Sequence, residues 1–258
     1  MEHRAKKSLG QNFLMHAQTA ARIVHASGVG KSDTVLEIGP GTGMLTKELL
    51  KIAGRVVAVE ADGALISELS ETFSEEVESG ALELIHADIR EFDPSAIKGV
   101  YALVANIPYY ITGEIIRSFL TATHKPSSMT LLVQKEVAER IARSTKESLL
   151  SLSVKAYGTP KYCFTVPRGA FRPAPNVDSA VLYIGAIQSP FKNTVEEARF
   201  FEVLRAGFAH KRKYLRRNLE EVAAPEMITQ AFARATLAEK ARADDVSLAA
   251  WMTLAEAL

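Results

Sequence analysis

Short apolar runs alternate with amphipathic stretches up to about residue 185, and the two patterns predict different elements. Apolar runs bounded by turn residues predict buried strands, whereas apolar residues repeated at helical spacing predict helices. The predicted strands are 34–38, 55–59, 81–86, 101–105 and 129–133, and the predicted helices are 17–26, 43–52, 63–73, 112–121 and 136–143. Such alternation is typical of α/β proteins, and we predict a mainly parallel, doubly wound sheet with helices on both faces.

The pattern changes in the last third of the chain. Residues 162–166 and 180–184 predict two further strands at the edge of the sheet, and 188–193 predicts a linker. Beyond the linker the pattern is helical to the end. We therefore predict a first domain over residues 1–187 and a small all-α C-terminal domain over residues 188–258.

The composition is that of a globular protein, with 258 residues, 47% of them hydrophobic, and a net charge of +1. No apolar run approaches the ~20 residues that span a membrane, and the N-terminus lacks the apolar core of a signal peptide. Cys163 is the only cysteine, and the six histidines show no paired ligand spacing. We therefore expect a cytoplasmic protein without a disulfide, a metal site or a membrane anchor, and nothing in the pattern demands more than a monomer.

The residues that follow the strand at 101–105 are the most informative part of the chain. The side-chain oxygen of Asn106 can accept one N–H of an exocyclic amine, and the backbone carbonyl of Ile107 can accept the other. Pro108 has a fixed φ and favours an extended Ile107, so this carbonyl is held in place. The ring of Tyr109 offers a stacking face, worth about 1–3 kcal/mol per base. Together these residues predict a site that binds a flat base by its amine.

Glycines or acidic residues follow three other predicted strands. The strand at 34–38 runs into Gly39-Pro40-Gly41-Thr42-Gly43, a turn that lets a ligand approach the backbone closely. Glu60 ends the next strand, where a carboxylate can accept both hydroxyls of a ribose. Asp88 follows the third strand, where it can accept an adenine amine. Because the carboxyl ends of parallel strands meet at one edge of a sheet, we expect these residues and Asn106 to share one crevice.

A further segment, Gln11-Asn12-Phe13-Leu14, precedes the helix predicted at 17–26. Two interpretations are open for it. It either caps that helix, or it folds over the crevice as a lid with Asn12 and Leu14 reaching the ligand.

Basic residues cluster along the chain although the net charge is small. One cluster opens the chain with Arg4, Lys6 and Lys7, and Arg168 and Arg172 flank an aromatic and proline-containing segment. The largest cluster, called here the basic cluster, contains no acidic residue between its ends and consists of Arg205, Lys211, Arg212, Lys213, Arg216 and Arg217. Such clusters on an otherwise balanced chain favour a phosphate-binding face.

Taken together, the motifs resemble those of the small-subunit ribosomal RNA adenine N6,N6-dimethyltransferases, the KsgA family, over nearly the whole chain. The glycine turn is shared by most methyltransferases. The Asn-Ile-Pro-Tyr sequence is more specific, because it is typical of methyltransferases that act on amines. The motifs that carry the resemblance are Gln11-Asn12-Phe13-Leu14, Glu37-Ile38-Gly39-Pro40-Gly41, Glu60, Asp88, Asn106-Ile107-Pro108-Tyr109, Gln134-Lys135-Glu136-Val137, Phe171-Arg172-Pro173-Ala174-Pro175-Asn176-Val177-Asp178-Ser179-Ala180 and Phe208-Ala209-His210-Lys211-Arg212-Lys213-Tyr214-Leu215.

The resemblance implies a Rossmann-like class I methyltransferase fold and S-adenosylmethionine as the methyl donor. It implies that Asn106 and the Ile107 carbonyl, held by Pro108, bind the target amine. It also implies that Tyr109 and Phe171 sandwich the adenine and that the basic cluster binds RNA. The expected cofactor contacts are Asn12, Leu14, Gly39, Gly41, Glu60, Asp88 and Asn106. The implied reaction dimethylates the N6 amines of two adjacent adenosines in the 3′-terminal hairpin loop of 16S rRNA, in small-subunit biogenesis.

One segment departs from the family pattern. Relatives usually carry Tyr-Gly-Arg-Leu-Ser after the fifth helix, whereas this chain has Glu147-Ser148-Leu149-Leu150-Ser151. The missing glycine and arginine put in doubt any RNA contact from this segment, but they leave the cofactor assignment unaffected.

Three other functions stay open at this point. A large-subunit (23S) rRNA adenine methyltransferase of the antibiotic-resistance type shares the Asn-Ile-Pro-Tyr core, although the basic cluster favours the small-subunit family. A non-catalytic RNA-binding assembly factor could keep the fold, and the intact cofactor positions count against it. A NAD-dependent oxidoreductase would carry a third glycine at the G-x-G-x-x-G spacing, which the turn at 39–43 lacks.

Overall fold

The structure, a computed structural model, describes residues 10–258. The basic residues Arg4, Lys6 and Lys7 lie outside the described residues. The chain divides into two compact units: the first contains the residues up to Ala138 together with Gly158–Gln188, and the second contains Glu139–Tyr157 and Ser189–Leu258. Residues 139–157, which the predicted domain boundary assigns to the first domain, thus cluster with the C-terminal helices. The division into functional domains at 187/188 stays a prediction.

A seven-stranded sheet forms the centre of the first unit, in the order β4-β3-β2-β5-β6-β9-β7. Its first five strands are parallel, and β9 and β7 run antiparallel to their neighbours. The strands are β2 Thr34–Ile38, β3 Arg55–Glu60, β4 Leu82–His86, β5 Tyr101–Asn106, β6 Ser128–Gln134, β7 Thr159–Val166 and β9 Ser179–Gly185, and β1 Phe13–Leu14 pairs with β8 Phe171–Arg172 in a separate two-stranded sheet. The mainly parallel α/β architecture predicted from the sequence is therefore confirmed.

The position of β9 corrects one expectation. Both late strands were expected at the edge of the sheet, but β9 lies between β6 and β7 and pairs with each of them along its length. Its residues are accordingly almost all buried, as an apolar run in a central strand requires. Of the two late strands only β7 lies at an edge of the sheet, and six of its eight residues are partly or fully exposed.

Helices cover the sheet of the first unit and close its core. The helices are α1 Ala17–Ser27, α2 Met44–Leu50, α3 Gly63–Thr72, α4 Ser74–Glu78 and α5 Thr112–Thr121, with α6 Lys135–Ala142 following β6. Ile23 of α1 and Leu49 of α2 are fully buried in the same apolar cluster as Val35 and Val104 of the strands. Because this core holds the strands in register, it also fixes the positions of the loops at their carboxyl ends.

The second unit is helical, as the pattern beyond residue 193 predicts. Its helices are α7 Leu149–Tyr157, α8 Thr194–Phe208, α9 Leu215–Leu219, α10 Pro225–Arg234 and α11 Leu248–Ala257. Asn193 caps α8 by accepting from two backbone N–H groups. A Cβ at Gly207 would overlap the Trp251 ring, so glycine is required for α8 and α11 to pack this closely. This packing holds one end of the loop that carries Lys211–Lys213.

Candidate active site

The ends of four parallel strands converge on one cleft in the first unit. Because β4, β3, β2 and β5 are parallel neighbours, the residues that follow them lie at the same edge of the sheet. The cleft is lined by the glycine turn after β2, by Glu60, by Asp88 and by the segment from Asn106 to Tyr109. The crevice expected from the strand ends is therefore present.

The glycine turn needs a backbone that other residues rarely adopt. Gly39, Gly41 and Gly43 have φ values of +64°, +59° and +78°, a region that glycine enters without steric cost. A Cβ at Gly43 would also lie 2.6 Å from the ring of Phe73. The turn therefore presents backbone rather than side chains to the cleft, which is what close approach of a ligand requires.

Glu60 lies at the end of β3 with 6% of its surface exposed. Its carboxylate accepts from the backbone N–H of Asp62 (3.0 Å) and from that of Gly41 (3.2 Å), so it links the strand end to the glycine turn. Burial raises the pKa of Glu60 above its ordinary value, and these two N–H groups act in the opposite direction. Each carboxylate oxygen has one bond to the backbone and can accept one more from a ligand.

Asp88 is the one cofactor candidate whose carboxylate is paired with a cation. Arg90 donates through Nε to both oxygens (3.0 and 3.1 Å) and through Nη2 to one of them (2.5 Å), and its backbone N–H adds another bond at 2.9 Å. The guanidinium holds the pKa of the Asp88 carboxyl below its usual range. Both residues line the cleft, so the pair fixes the direction in which this carboxylate points.

The segment from Gly10 to Leu14 forms one wall of the cleft. Asn12 Nδ2 donates to the Gly10 carbonyl at 3.1 Å, and the Asn12 carbonyl accepts from Asn106 Nδ2 at 3.0 Å. Phe13 packs beside Gly41, where a Cβ would lie 3.0 Å from its ring. Of the two interpretations of this segment, its position favours contact with the ligand, since Asn12 and Leu14 both line the cleft and neither caps α1.

Asn106 ends β5, and its side chain is oriented by the bond to Asn12. A carbonyl can only accept, so the atom that faces Asn12 is the NH₂ group, and the oxygen Oδ1 is left without a partner among residues 10–258. Pro108 follows with φ −55° and ψ 129°. Ile107 is 1% exposed, and its burial anchors the peptide that joins Ile107 to Pro108.

Tyr109 begins a short 3₁₀ turn at 109–111 and lines the cleft. Its hydroxyl lies 2.6 Å from Ser179 Oγ, and burial raises the pKa of the phenol above its ordinary value. Tyr110, the next residue, is 62% exposed and also lines the cleft.

Phe171 does not lie with the other candidates. It pairs with Leu14 in the β1–β8 sheet, is 4% exposed and belongs to the apolar core of the first unit, and it is not among the residues that line the cleft. The stacking role of Phe171 is predicted only from its sequence motif. In the structure, the pairing of β8 with β1 places the Phe171 ring in the apolar core. In this arrangement Phe171 offers no exposed face to an adenine, and its stacking role stays a prediction.

Glu37 is a fully buried carboxyl within β2, one residue before Ile38 and the glycine turn. Neither of its oxygens has a hydrogen-bond partner of ordinary geometry among residues 10–258. Loss of hydration raises the pKa of Glu37 to about 8, with a smaller contribution from the charge of Glu60. The side chain is therefore protonated at neutral pH, and it does not reach the cleft.

The basic cluster lies in the second unit, at the end of α8, in the loop to α9 and on α9 itself. Arg205 and Lys211–Lys213 are exposed, and among the described residues no carboxylate pairs with them. Arg216 instead donates to Thr229 (2.7 Å), and Arg217 lies 3.3 Å from Glu220. The cluster thus separates into unpaired cations, Arg205 and Lys211–Lys213, and two arginines with partners, Thr229 on α10 for Arg216 and Glu220 at the end of α9 for Arg217.

The segment that departs from the family pattern is the start of α7 rather than a loop. Ser148 Oγ accepts from the backbone N–H of Ser151, and Ser151 Oγ accepts from that of Ser148 (3.1 and 2.7 Å), so the two residues cap the helix reciprocally. Glu147 accepts from Ser151 and from Lys155. The polar side chains of Glu147, Ser148 and Ser151 are thus hydrogen-bonded at the start of α7. These bonds explain why such residues occur here without an RNA contact.

Gln11, Arg90 and Tyr110 also line the cleft, and the sequence assigns no role to them. The spacing of Asp88 and Arg90 is a signal for a local ion pair, since a side chain two residues after an acidic one can fold back on it. Gln11 Nε2 donates to Asp62 at 3.4 Å, which no sequence pattern indicates. Within residues 10–258, no helix is long and apolar enough to cross a membrane, and no three acidic, histidine or cysteine side chains are grouped to hold a metal.

The family model described as ribosomal RNA adenine dimethylase matches residues 2–258 of the chain. Among curated proteins, ribosomal RNA small subunit methyltransferase A of Dehalococcoides mccartyi (strain 195) is 41% identical over 257 residues, covering 97% of this chain and 87% of that protein. The protein of the same name from Shouchella clausii is 38% identical over 98% of this chain and 89% of its own length.

Solved structures agree on the fold. The 23S rRNA methyltransferase ErmE matches with a TM-score of 0.76 and 27% identity, over 96% of this chain and 99% of its own. A dimethyladenosine transferase from Plasmodium falciparum matches with a TM-score of 0.77 and 24% identity, over 94% of this chain and 95% of its own. Both matches extend over the sheet and the C-terminal helices.

Proposed function

The chain belongs to the ribosomal RNA adenine dimethylase family, and from this premise we propose that it methylates adenosine in small-subunit ribosomal RNA. The substrate amines are the N6 groups of two adjacent adenosines in the 3′-terminal hairpin loop of 16S rRNA, and the product is N6,N6-dimethyladenosine. The observation that carries the proposal is the cleft, which Asn106 lines together with the glycine turn, Glu60 and Asp88, while its Oδ1 has no partner among residues 10–258.

S-adenosylmethionine is the methyl donor, and it supplies an electrophilic methyl group on a sulfonium. The residues of the cleft fit it. Gly39 and Gly41 admit close approach to the backbone, Glu60 has acceptor capacity left for ribose hydroxyls, and Asp88 can accept an adenine amine. Asn12 and Leu14 complete the site from the wall formed by residues 10–14.

Asn106 and Ile107 bind the target amine. Asn106 Oδ1 accepts one N–H, since the Asn12 carbonyl holds the amide with its oxygen directed away from that bond. The Ile107 carbonyl accepts the other N–H, and Pro108 keeps it in place. Two acceptors favour a pyramidal nitrogen and free its lone pair for in-line attack on the methyl carbon of the donor, whose bond to sulfur breaks as the N–C bond forms. No strong base is required because the proton leaves after the transfer, so the residues act by positioning, which can contribute about 7–11 kcal/mol.

The adenine must leave its stack to enter the cleft, which costs least in a hairpin loop. Tyr109 supplies a face for the extruded base from the side of the cleft. Phe171 closes the sandwich only if the β1–β8 segment moves, because its ring is buried in the present arrangement.

The basic cluster binds the RNA backbone. Lys211–Lys213 support this best, because they are exposed and no carboxylate among the described residues neutralises them. Phosphate contacts of this kind position the RNA without selecting its sequence. We further propose a cytoplasmic enzyme, as expected for a protein that acts on ribosomal subunits, and a monomeric one, since nothing in the sequence pattern demands more than a monomer.

The large-subunit alternative has weaker support. Identity to two small-subunit methyltransferases is 41% and 38%, against 27% to the 23S rRNA methyltransferase ErmE. A non-catalytic assembly factor would have no use for the paired acceptors of the cleft. Neither alternative explains both the residues that line the cleft and the higher sequence identity to small-subunit methyltransferases.

Mass spectrometry of nucleosides tests the proposal. Unmethylated 30S particles and 23S rRNA are incubated separately with the protein and S-adenosylmethionine. We expect N6,N6-dimethyladenosine in 16S rRNA only. Methylation of 23S rRNA alone would support the resistance-type function, and no methylation of either substrate, despite measurable cofactor binding, would favour the assembly factor.

A further inference from the structure

The side chain of Ser179, in the seven-stranded sheet, reaches the hydroxyl of Tyr109. It is fully buried, and its Oγ lies 2.6 Å from the phenol oxygen. Among residues 10–258, Tyr109 is the only hydrogen-bond partner of the Ser179 hydroxyl. A serine with 0% exposure has no access to water, so Tyr109 is what satisfies it.

The position of Ser179 in the sheet makes it a rigid support. It opens β9, where it pairs with Gln134 of β6 on one side and with Val166 of β7 on the other. The preceding residue, Asp178, accepts from the backbone N–H groups of Lys135 and Arg168, both at 3.0 Å. The backbone around Ser179 is therefore held from two sides.

Tyr109, by contrast, is held at its backbone by a short 3₁₀ turn, and its ring lies at the cleft. A hydrogen bond at the hydroxyl fixes the direction of the long axis of the ring, since the ring can then turn only about that axis. The ring thus has two fixed ends, one at the turn and one at β9.

We propose that Ser179 is a positioning residue for methyl transfer: it holds the Tyr109 ring at the cleft so that the target adenine meets a stacking face already in place. This inference rests on the proposed function and adds a residue to it. Ser179 does not touch substrate or cofactor. It acts through Tyr109, and the residues that bind the cofactor do not depend on it.

The test compares Ser179→Ala, Tyr109→Phe and the double variant in steady-state methylation of 30S particles. Tyr109→Phe keeps the ring and loses the hydrogen bond, so both single variants should lower kcat by the same factor. We expect a factor of about 10, below the about 100-fold that a 1 Å misplacement can cost. The double variant should be no worse than either single one. KM for the particle and the Kd for S-adenosylmethionine should change less than about twofold, within the usual additivity error.

Ser27→Ala is the matched control. It also removes a buried serine hydroxyl, bonded to the Val24 carbonyl at 2.6 Å, but in α1 and away from the cleft. If loss of stability alone lowered activity, this variant would lose kcat as well.

Three results would overturn the inference: wild-type kcat in Ser179→Ala, additive losses in the double variant, or a parallel loss of cofactor affinity. If the unmodified protein transfers no methyl group to any particle, the proposed function fails instead. The two failures are therefore distinguishable. Coupled losses confined to kcat would support the role of Ser179.

Discussion

The amide nitrogen of Asn106 donates to the backbone carbonyl of Asn12 across a separation of 94 residues, with the two atoms 3.0 Å apart. The bond ties the end of β5 to the wall formed by residues 10–14. It also decides which atom of the Asn106 amide faces Asn12, because a carbonyl accepts only from the NH₂ group, and it leaves Oδ1 without a partner among residues 10–258. This side-chain-to-backbone bond thus leaves the amide oxygen, an acceptor, available at the site that is proposed to bind an amine.

Removal of Arg90 should shift the pH dependence of cofactor binding. Arg90 holds the pKa of Asp88 below its usual range, so this carboxylate stays ionised, and able to accept an amine, to more acidic pH. In Arg90→Ala the pKa rises toward its ordinary value, and affinity for S-adenosylmethionine should be lost at a less acidic pH than in the unmodified protein. Calorimetric titration between about pH 4 and pH 7 measures this shift.

Arg55→Ala is the control for that experiment, since it breaks an exposed arginine–carboxylate pair with Glu83 outside the cleft. Its pH profile should match that of the unmodified protein. Identical profiles for Arg90→Ala and the unmodified protein would show that Asp88 does not bind the cofactor in its ionised form.

Neutralising Lys211, Arg212 and Lys213 together should weaken binding of 30S particles and reduce its dependence on salt. Each phosphate contact releases counterions, so losing three contacts should reduce the slope of log K against log salt by about 2. Binding measured at several salt concentrations gives this slope. Neutralising Lys31, Lys98 and Lys161, three exposed lysines of the first unit, removes the same charge. An equal change in slope in both variants would mean that net charge, and not this loop, determines the affinity.

Glu37→Gln should stabilise the protein increasingly as the pH rises. The pKa of Glu37 is about 8 in the folded state and 4.5 when unperturbed. Between these values the folded state binds a proton that the unfolded state has released. Stability contributed by Glu37 is therefore complete below about pH 4.5 and falls by about 1.4 kcal/mol per pH unit up to about pH 8. Glu37→Gln has no ionisable group at this position, so its stability does not fall in this way as the pH rises.

Urea denaturation of the unmodified protein and of Glu37→Gln, each at about pH 5.5 and pH 7.5, isolates the contribution of Glu37. All other ionisable groups are present in both proteins. The free-energy difference of unfolding should grow in favour of Glu37→Gln by about 2–3 kcal/mol over this interval. A difference that stays constant with pH would mean that Glu37 is ionised in the folded protein.

Much of the cleft could be predicted from sequence because its parts follow strands with strong local signals. The strand ending at Asn106 and the one before the glycine turn are short apolar runs, and parallel pairing brings their ends together without further information. The same holds for Glu60 at the end of β3.

Other features depend on pairing between distant residues and were not predictable. The sheet of β1 and β8 contains two residues from each strand, too few for any periodic pattern, yet it buries Phe171. The interior position of β9 follows from the order in which strands join the sheet, which local hydrophobicity does not encode. The bond between Tyr109 and Ser179 depends on that order as well.

Asn106→Ala provides the most direct test of the proposed site. Methyl transfer to 30S particles and calorimetric binding of S-adenosylmethionine are measured on the same preparation, with Asn193→Ala, an asparagine at the start of α8, as the control. We expect no detectable transfer from Asn106→Ala with cofactor affinity only modestly reduced, since the glycine turn, Glu60 and Asp88 are unchanged. Transfer at the unmodified rate in Asn106→Ala would contradict the role of this amide in binding the target amine.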